Sequence, residues 1–113
     1  MVFIDSVKFG EIVIDGKTYY SDMFVAWSGK IEMIPKSQFF SVSDYQKLKT
    51  WKPDTIILGC GMENGLTVEE DFGRIAEKDN IDLFVERTPQ AIRLFNSLVS
   101  ARRKVVAIIH TTC

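Results

Sequence analysis

The sequence is poor in the residues that most often announce a chemistry. Its 113 residues hold one histidine and two cysteines. Cys60 and Cys113 are too few for a disulfide scaffold, and they suit a reducing compartment in which thiols stay free. No apolar run approaches the roughly 18 residues that a membrane helix needs, so membrane insertion is not expected. The opening residues, Met1, Val2, Phe3, Ile4 and Asp5, lack the basic flank and sustained apolar core of a secretory signal. These absences together predict a cytoplasmic location. An excess of positive charge is also missing: 14 Lys and Arg stand against 15 Asp and Glu, for a formal net charge of -1. A nucleic-acid partner is therefore not expected. The short run Arg102-Arg103-Lys104 reads as a solvated turn before a strand. No repeat, low-complexity tract or linker breaks the chain.

What is present is the material of one globular domain, spanning residues 1–113. Hydrophobic residues make up 46%, too many for disorder. A chain of this length buries roughly two-thirds of its unfolded surface without help from metals or disulfides. Its first forty residues read as short strands. Ile12 and Ile14 alternate cleanly into Asp15-Gly16, a strong hairpin turn signal. Thr18-Tyr19-Tyr20, Phe24-Val25-Ala26-Trp27 and Ile31, Met33 and Ile34 extend the pattern, which predicts an antiparallel meander. Ser41 or Ser43 can cap a short helix carrying Tyr45, Leu48 and Trp51, and Pro53 ends it.

The second half alternates. Thr55-Ile56-Ile57-Leu58 is a continuous apolar run closed by Gly59-Cys60-Gly61, as in a strand buried on both faces. Thr67 with Glu70 makes a capping box that predicts a helix over 68–78, with Val68, Phe72, Ile75 and Ala76 on one face. A strand follows over 81–85. Thr88-Pro89 reads as a cap and a first-turn proline, opening a helix with Ala91, Ile92, Phe95, Leu98 and Val99 as its apolar stripe. Residues 105–109 form the last strand. The expected fold is mixed α/β: a β-rich N-terminal layer packed on a parallel β-α-β-α-β unit, in three layers β/β/α, with helices behind the sheet.

Parallel strands bring their carboxyl ends to one edge, where open α/β sheets bind ligands. The candidates there are Gly59, Cys60 and Gly61, then Glu86 and Thr88, then His110 with Cys113. With Gly65 the glycines read G-x-G-x-x-x-G, but the helix opens too late for a dinucleotide loop. A tight turn explains them better, and no cofactor is expected. Cys60 is the better sulfur partner for His110, because both sit on the same edge. A catalytic thiol there would need a lowered pKa. Alternatively, His110 simply bonds backbone at the strand end. The spacing of His110, Cys60 and Cys113 does not support a metal site. Asp22, Asp54 and Glu86 are scattered and read as solvated charges or caps. Trp27, Trp51, Tyr19 and Tyr20 read as core and edge residues.

One family shares these features. Ile57-Leu58-Gly59-Cys60-Gly61-Met62, Ile81-Asp82-Leu83, Thr88-Pro89-Gln90-Ala91, Phe95-Asn96-Ser97-Leu98 and His110-Thr111-Thr112-Cys113 together resemble the adipogenesis-associated domain family. Phe9-Gly10, the hairpin from Gly16 to Tyr20 and Trp27 fit more loosely. That family of small proteins also includes a mitochondrial complex I assembly factor. The resemblance implies two β-layers and an α-layer, no established catalysis, and work through protein partners. Members often carry a small polar or basic residue where Cys60 stands, and a histidine where Lys36-Ser37-Gln38 stands here. A role for that histidine does not carry over. The leading expectation is a non-enzymatic protein-binding or assembly factor. The alternative is a small-molecule binder or small enzyme using Gly59, Cys60, Gly61, Glu86, Thr88 and His110. Pairing of copies through the front sheet is compatible with either.

Overall fold

The computed structural model describes residues 2–35, 39–62, 67–68 and 72–112. Strands β1 (Ile4–Lys8), β2 (Glu11–Ile14) and β3 (Lys17–Tyr19) form an antiparallel meander. Asp15 and Gly16, with φ of 49° and 80°, close its two-residue turn and set Ile14 opposite Lys17. Positive φ at both positions is what such a tight hairpin requires. The meander ends there. Strands β4 (Asp22–Ala26) and β5 (Ile31–Ile34) leave it and join the central sheet as an antiparallel hairpin.

The central sheet has the order β5-β4-β10-β7-β9. Strands β7 (Thr55–Cys60), β9 (Asp82–Glu86) and β10 (Val105–His110) are parallel, as the alternating second half predicts. Strand β4 pairs antiparallel with β10, so the sheet is mixed. β7 and β10 are buried at every position, because both faces of the sheet are covered. β9 is an edge strand with Phe84 and Val85 exposed, and its apolar run alone could not distinguish these two settings.

Strand alternation sends neighbouring residues into two cores. On the front, Met23, Val25, Ile57, Ala107 and Ile109 pack with Ile4, Ile12 and Ile14 of the meander and with Ala91, Phe95 and Val99 of α3 (Thr88–Ser100). On the back, Phe24, Ile56, Leu58, Val106 and Ile108 pack with Tyr45 and Leu48 of α1 (Val42–Lys49) and with Phe72 and Ala76 of α2 (Phe72–Lys78). The three-layer α/β architecture thus holds, with α3 sharing the front layer with the meander. The reason is topological. The chain steps outward from β7 to β9 through α2, then back across β7 to β10 through α3. Crossovers of one hand in opposite directions place their helices on opposite faces.

Two local readings resolve differently. Ser41, not Ser43, caps α1: its hydroxyl accepts from the Asp44 N–H, and the Asp44 carboxylate accepts from the Ser41 N–H. Trp51 falls just beyond that helix. Thr67 and Val68 do not open α2. They form strand β8 (Thr67–Val68), paired in parallel with β6 (Phe39–Phe40), and the helix begins at Phe72. Two β-branched residues, which favour extended backbone, prevail over the capping-box pattern. Glu70 and Gly65 lie outside the described residues. Arg103 is more than a solvated turn residue. Its guanidinium donates to Asp54, Thr55 and Asp82, tying together the amino ends of β7, β9 and β10.

Candidate functional site

The carboxyl edge divides into two parts. The first lies over the ends of β7, β9 and β10, where the connections leaving β7 and β9 pass to opposite faces and an open sheet would take a ligand. Here that crevice is closed from inside. Thr88 is fully buried. Its hydroxyl accepts from the Gly61 N–H at 2.9 Å and donates to the His110 carbonyl at 2.6 Å, while its own N–H donates to the Gly61 carbonyl. Thr88 is therefore not the helix cap. Arg87 holds that position, without a side-chain bond. Gly61 has φ of 96°, a conformation that favours glycine. Gly59 lies against α3: a Cβ there would meet Thr88 Oγ1, Ala91 Cβ and Ile109 Cδ1 at 3.2–3.3 Å. Gly59, Gly61 and Thr88 form an internal pin that has used its polar groups. The Thr88 hydroxyl and both Gly61 backbone groups expected at a ligand site are bonded within the protein.

Cys60 belongs to the same pin by position. The register places it directly beside His110 on the back face. Its sulfur nevertheless points along its own strand, 3.7 Å from the Leu58 carbonyl, and packs in the rear core. Burial, followed by the charge of Glu86, pushes the thiol up to about 11. An activated nucleophile needs the opposite shift, so the structure counts against catalysis by Cys60. Glu86, half-buried at the end of β9, contributes only this charge among the described contacts. Cys113 lies outside the described residues.

The second part lies on the other side of β10. The sequence reading missed its key residue, Asp22. That carboxylate is buried, with His110 Nδ1 2.8 Å from Oδ2. Oδ1 accepts from the Thr111 N–H at 2.8 Å and from the Thr111 hydroxyl at 3.1 Å. Burial alone would raise the Asp22 carboxyl, but the bonds from His110 and Thr111 outweigh it and hold the group below the usual carboxylate range. His110 thus bonds a side chain 88 residues away, not merely neighbouring backbone. An aspartate opening a buried, otherwise apolar strand was the one available signal, because a buried charge needs a partner.

Beside this pair is a hollow of about 200 Å³ lined by Phe24, Ile34, Pro35, Asp44, Lys47, Ile108 and His110. The Lys47 ammonium lies 4.7 Å from the Phe24 ring centre and pairs with Glu32. A second hollow, across Asp22, is lined by Gly10, Tyr20, Ser21, Ile34, Thr111 and Thr112. A bond from the Gly10 N–H to the Thr111 carbonyl brings the β1–β2 turn to this edge. Phe9 and Tyr20 are exposed there, at 66% and 78%. Lys36, Ser37 and Gln38 lie outside the described residues. Among the described residues no group of three or more His, Cys, Asp or Glu is arranged to hold a metal ion.

Residues 4–110 match the model of a family described as "Protein of unknown function (DUF498/DUF598)". Among solved structures, the fold is similar to a conserved hypothetical protein from Pyrococcus horikoshii OT3, at 25% identity and a TM-score of 0.85, covering 97% of this chain and 98% of that one. It is equally similar to a protein named MT938, at 27% identity and a TM-score of 0.85 over the whole of both chains. A Mth938-like domain from Bordetella pertussis shares the fold at 15% identity and a TM-score of 0.72, over 96% of this chain and 85% of that one.

Proposed function

Because the chain belongs to the DUF498/DUF598 family of proteins of unknown function, we propose its role from its own geometry: a non-catalytic binding protein that holds its ligand in the hollow beside His110. The observation that carries this reading is the Asp22–His110 pair, a buried polar anchor at the wall of a hollow that Phe24, Ile34, Pro35 and Ile108 line with apolar surface and Asp44 and Lys47 with charge. Concave apolar sites with a few fixed polar groups are what ligand pockets consist of. The raised Cys60 thiol favours binding over nucleophilic catalysis. No helix among the described residues is long and apolar enough to cross a membrane. The buried free thiol of Cys60 suits a reducing, cytoplasm-like compartment.

A second reading, an assembly factor acting through a protein partner, is favoured by exposed Phe9 and Tyr20 at the same edge. Exposed aromatics beside a hollow suit a partner that inserts a side chain. The likeness to the adipogenesis-associated and complex I assembly proteins belongs with this reading.

Native mass spectrometry on protein purified gently from its own host tests both. A retained small mass that is lost in Ile34→Trp, which fills the hollow, supports the ligand reading. A bare chain in the wild type contradicts it. A stoichiometric protein complex in place of the small mass supports the second reading against the first.

A further inference from the structure

We infer that the hollow selects an uncharged, compact ring compound bearing a hydroxyl group, whose proton is offered to Nε2 of His110. This inference rests on the binding reading above and adds the chemistry of the ligand.

Size comes first. Apolar cavities of about 150 Å³ accept benzene. A hollow of about 200 Å³ therefore has room for one six-membered ring with a small substituent. Phe24, Ile34, Pro35 and Ile108 supply the apolar walls such a ring needs.

The polar requirement follows from the tautomer. Asp22 is an acceptor at both oxygens, and Thr111 occupies one of them with two donors. The other oxygen faces Nδ1, so in the neutral imidazole the proton resides on Nδ1 and Nε2 carries the lone pair. No other described residue bonds the His110 ring. Every fully buried side-chain nitrogen or oxygen among the described residues has a partner, so Nε2 is reached from the hollow that His110 lines. Its side chain is only 8% exposed. Nε2 is thus an acceptor that water can reach, and a ligand that displaces that water binds well only if it supplies a donor in its place.

Charge removes the alternatives. Among the described residues, Asp22, Asp44 and Glu32 stand around the hollow against Lys47. A carboxylate would meet this negative excess and has no proton to give. A cation would shed its water against apolar walls beneath the Lys47 ammonium. A neutral hydroxyl meets neither penalty.

The test uses the fact that His110 is the only histidine, so its ring nitrogens are assigned without ambiguity. The full-length chain, labelled with nitrogen-15, is titrated with phenol, toluene and benzoate, and both ring and amide signals are followed. The expected result is that phenol moves the Nε2 signal toward its hydrogen-bonded position and leaves Nδ1 in place. Toluene should move amides around the hollow but not Nε2, and benzoate should move neither. A proton found on Nε2 in the free protein overturns the inference, as does an Nε2 signal indifferent to saturating phenol. If phenol and toluene both bind without that response, only the hydroxyl inference falls. If neither perturbs the hollow, the binding reading falls with it.

Discussion

Asp22 at the start of β4 and His110 at the end of β10 meet at 2.8 Å, 88 residues apart in sequence. The antiparallel register that sets Met23 against Ile109 brings them together one step further on. Their contact is both a structural tie and the polar wall of the candidate site. Removing the carboxylate leaves the buried His110 Nδ1–H and the Thr111 N–H without an acceptor, at a cost of about 1–3 kcal/mol for a buried group left unpaired. Asp22→Ala should therefore lower the unfolding free energy by about that amount in urea titrations. Asp22→Asn, which can still bond Thr111, should cost less.

The pH dependence follows from the same carboxylate. Asp22, Asp54 and Asp79 all have folded pKa values below their ordinary one. Groups of this kind add stability that is present above the unfolded pKa of about 4 and is lost as pH falls through the folded value. The melting temperature should hold from neutral pH down to about 5 and then drop. In Asp22→Asn that acid drop should be shallower.

Cys60 should behave as an inert thiol. Its pKa of about 11 and its burial predict iodoacetamide labelling in the native protein at neutral pH that is far slower than for a free cysteine. Mass spectrometry of digested samples follows Cys60 directly. Rapid labelling at this residue would restore it as a nucleophile beside His110.

The pin at the β7–β10 crevice should be stabilising. Thr88→Val keeps the shape but leaves the buried Gly61 N–H without a partner, a loss of about 1–3 kcal/mol. Thr88→Ser retains the hydroxyl and should lose less. Gly59→Ala presses a methyl group on Thr88, Ala91 and Ile109 and should destabilise by about 1–3 kcal/mol through overpacking. Thermal unfolding of the three variants ranks them.

Much of this fold is legible in local sequence, because local signals carry it. The Asp15-Gly16 turn, the apolar runs of β7 and β10 and the stripe of α3 each encode their own conformation. The departures arise where partners decide. Thr67 and Val68 pair with Phe39 and Phe40 instead of opening α2, and β4 leaves the meander because β10 offers it an edge. Residues at the candidate site divide in the same way. His110 is visible as the single histidine at a strand end. Asp22 looks like any scattered carboxylate until the register sets it against that ring. Thr88 and Pro89 carry the pattern of a helix start, but nothing nearby in sequence reveals that the hydroxyl bonds to two other strand ends.

The central claim is that the hollow between α1, the β4–β5 hairpin and the end of β10 is the binding site. The most direct measurement is a nitrogen-15 amide spectrum of the protein with a panel of small ring fragments. Binders should move the amides of Phe24, Ile34, Lys47, Ile108 and His110 together. Shifts centred instead on Trp27 and Trp51, which line a separate hollow with Lys30, or no shifts with any fragment, would contradict it.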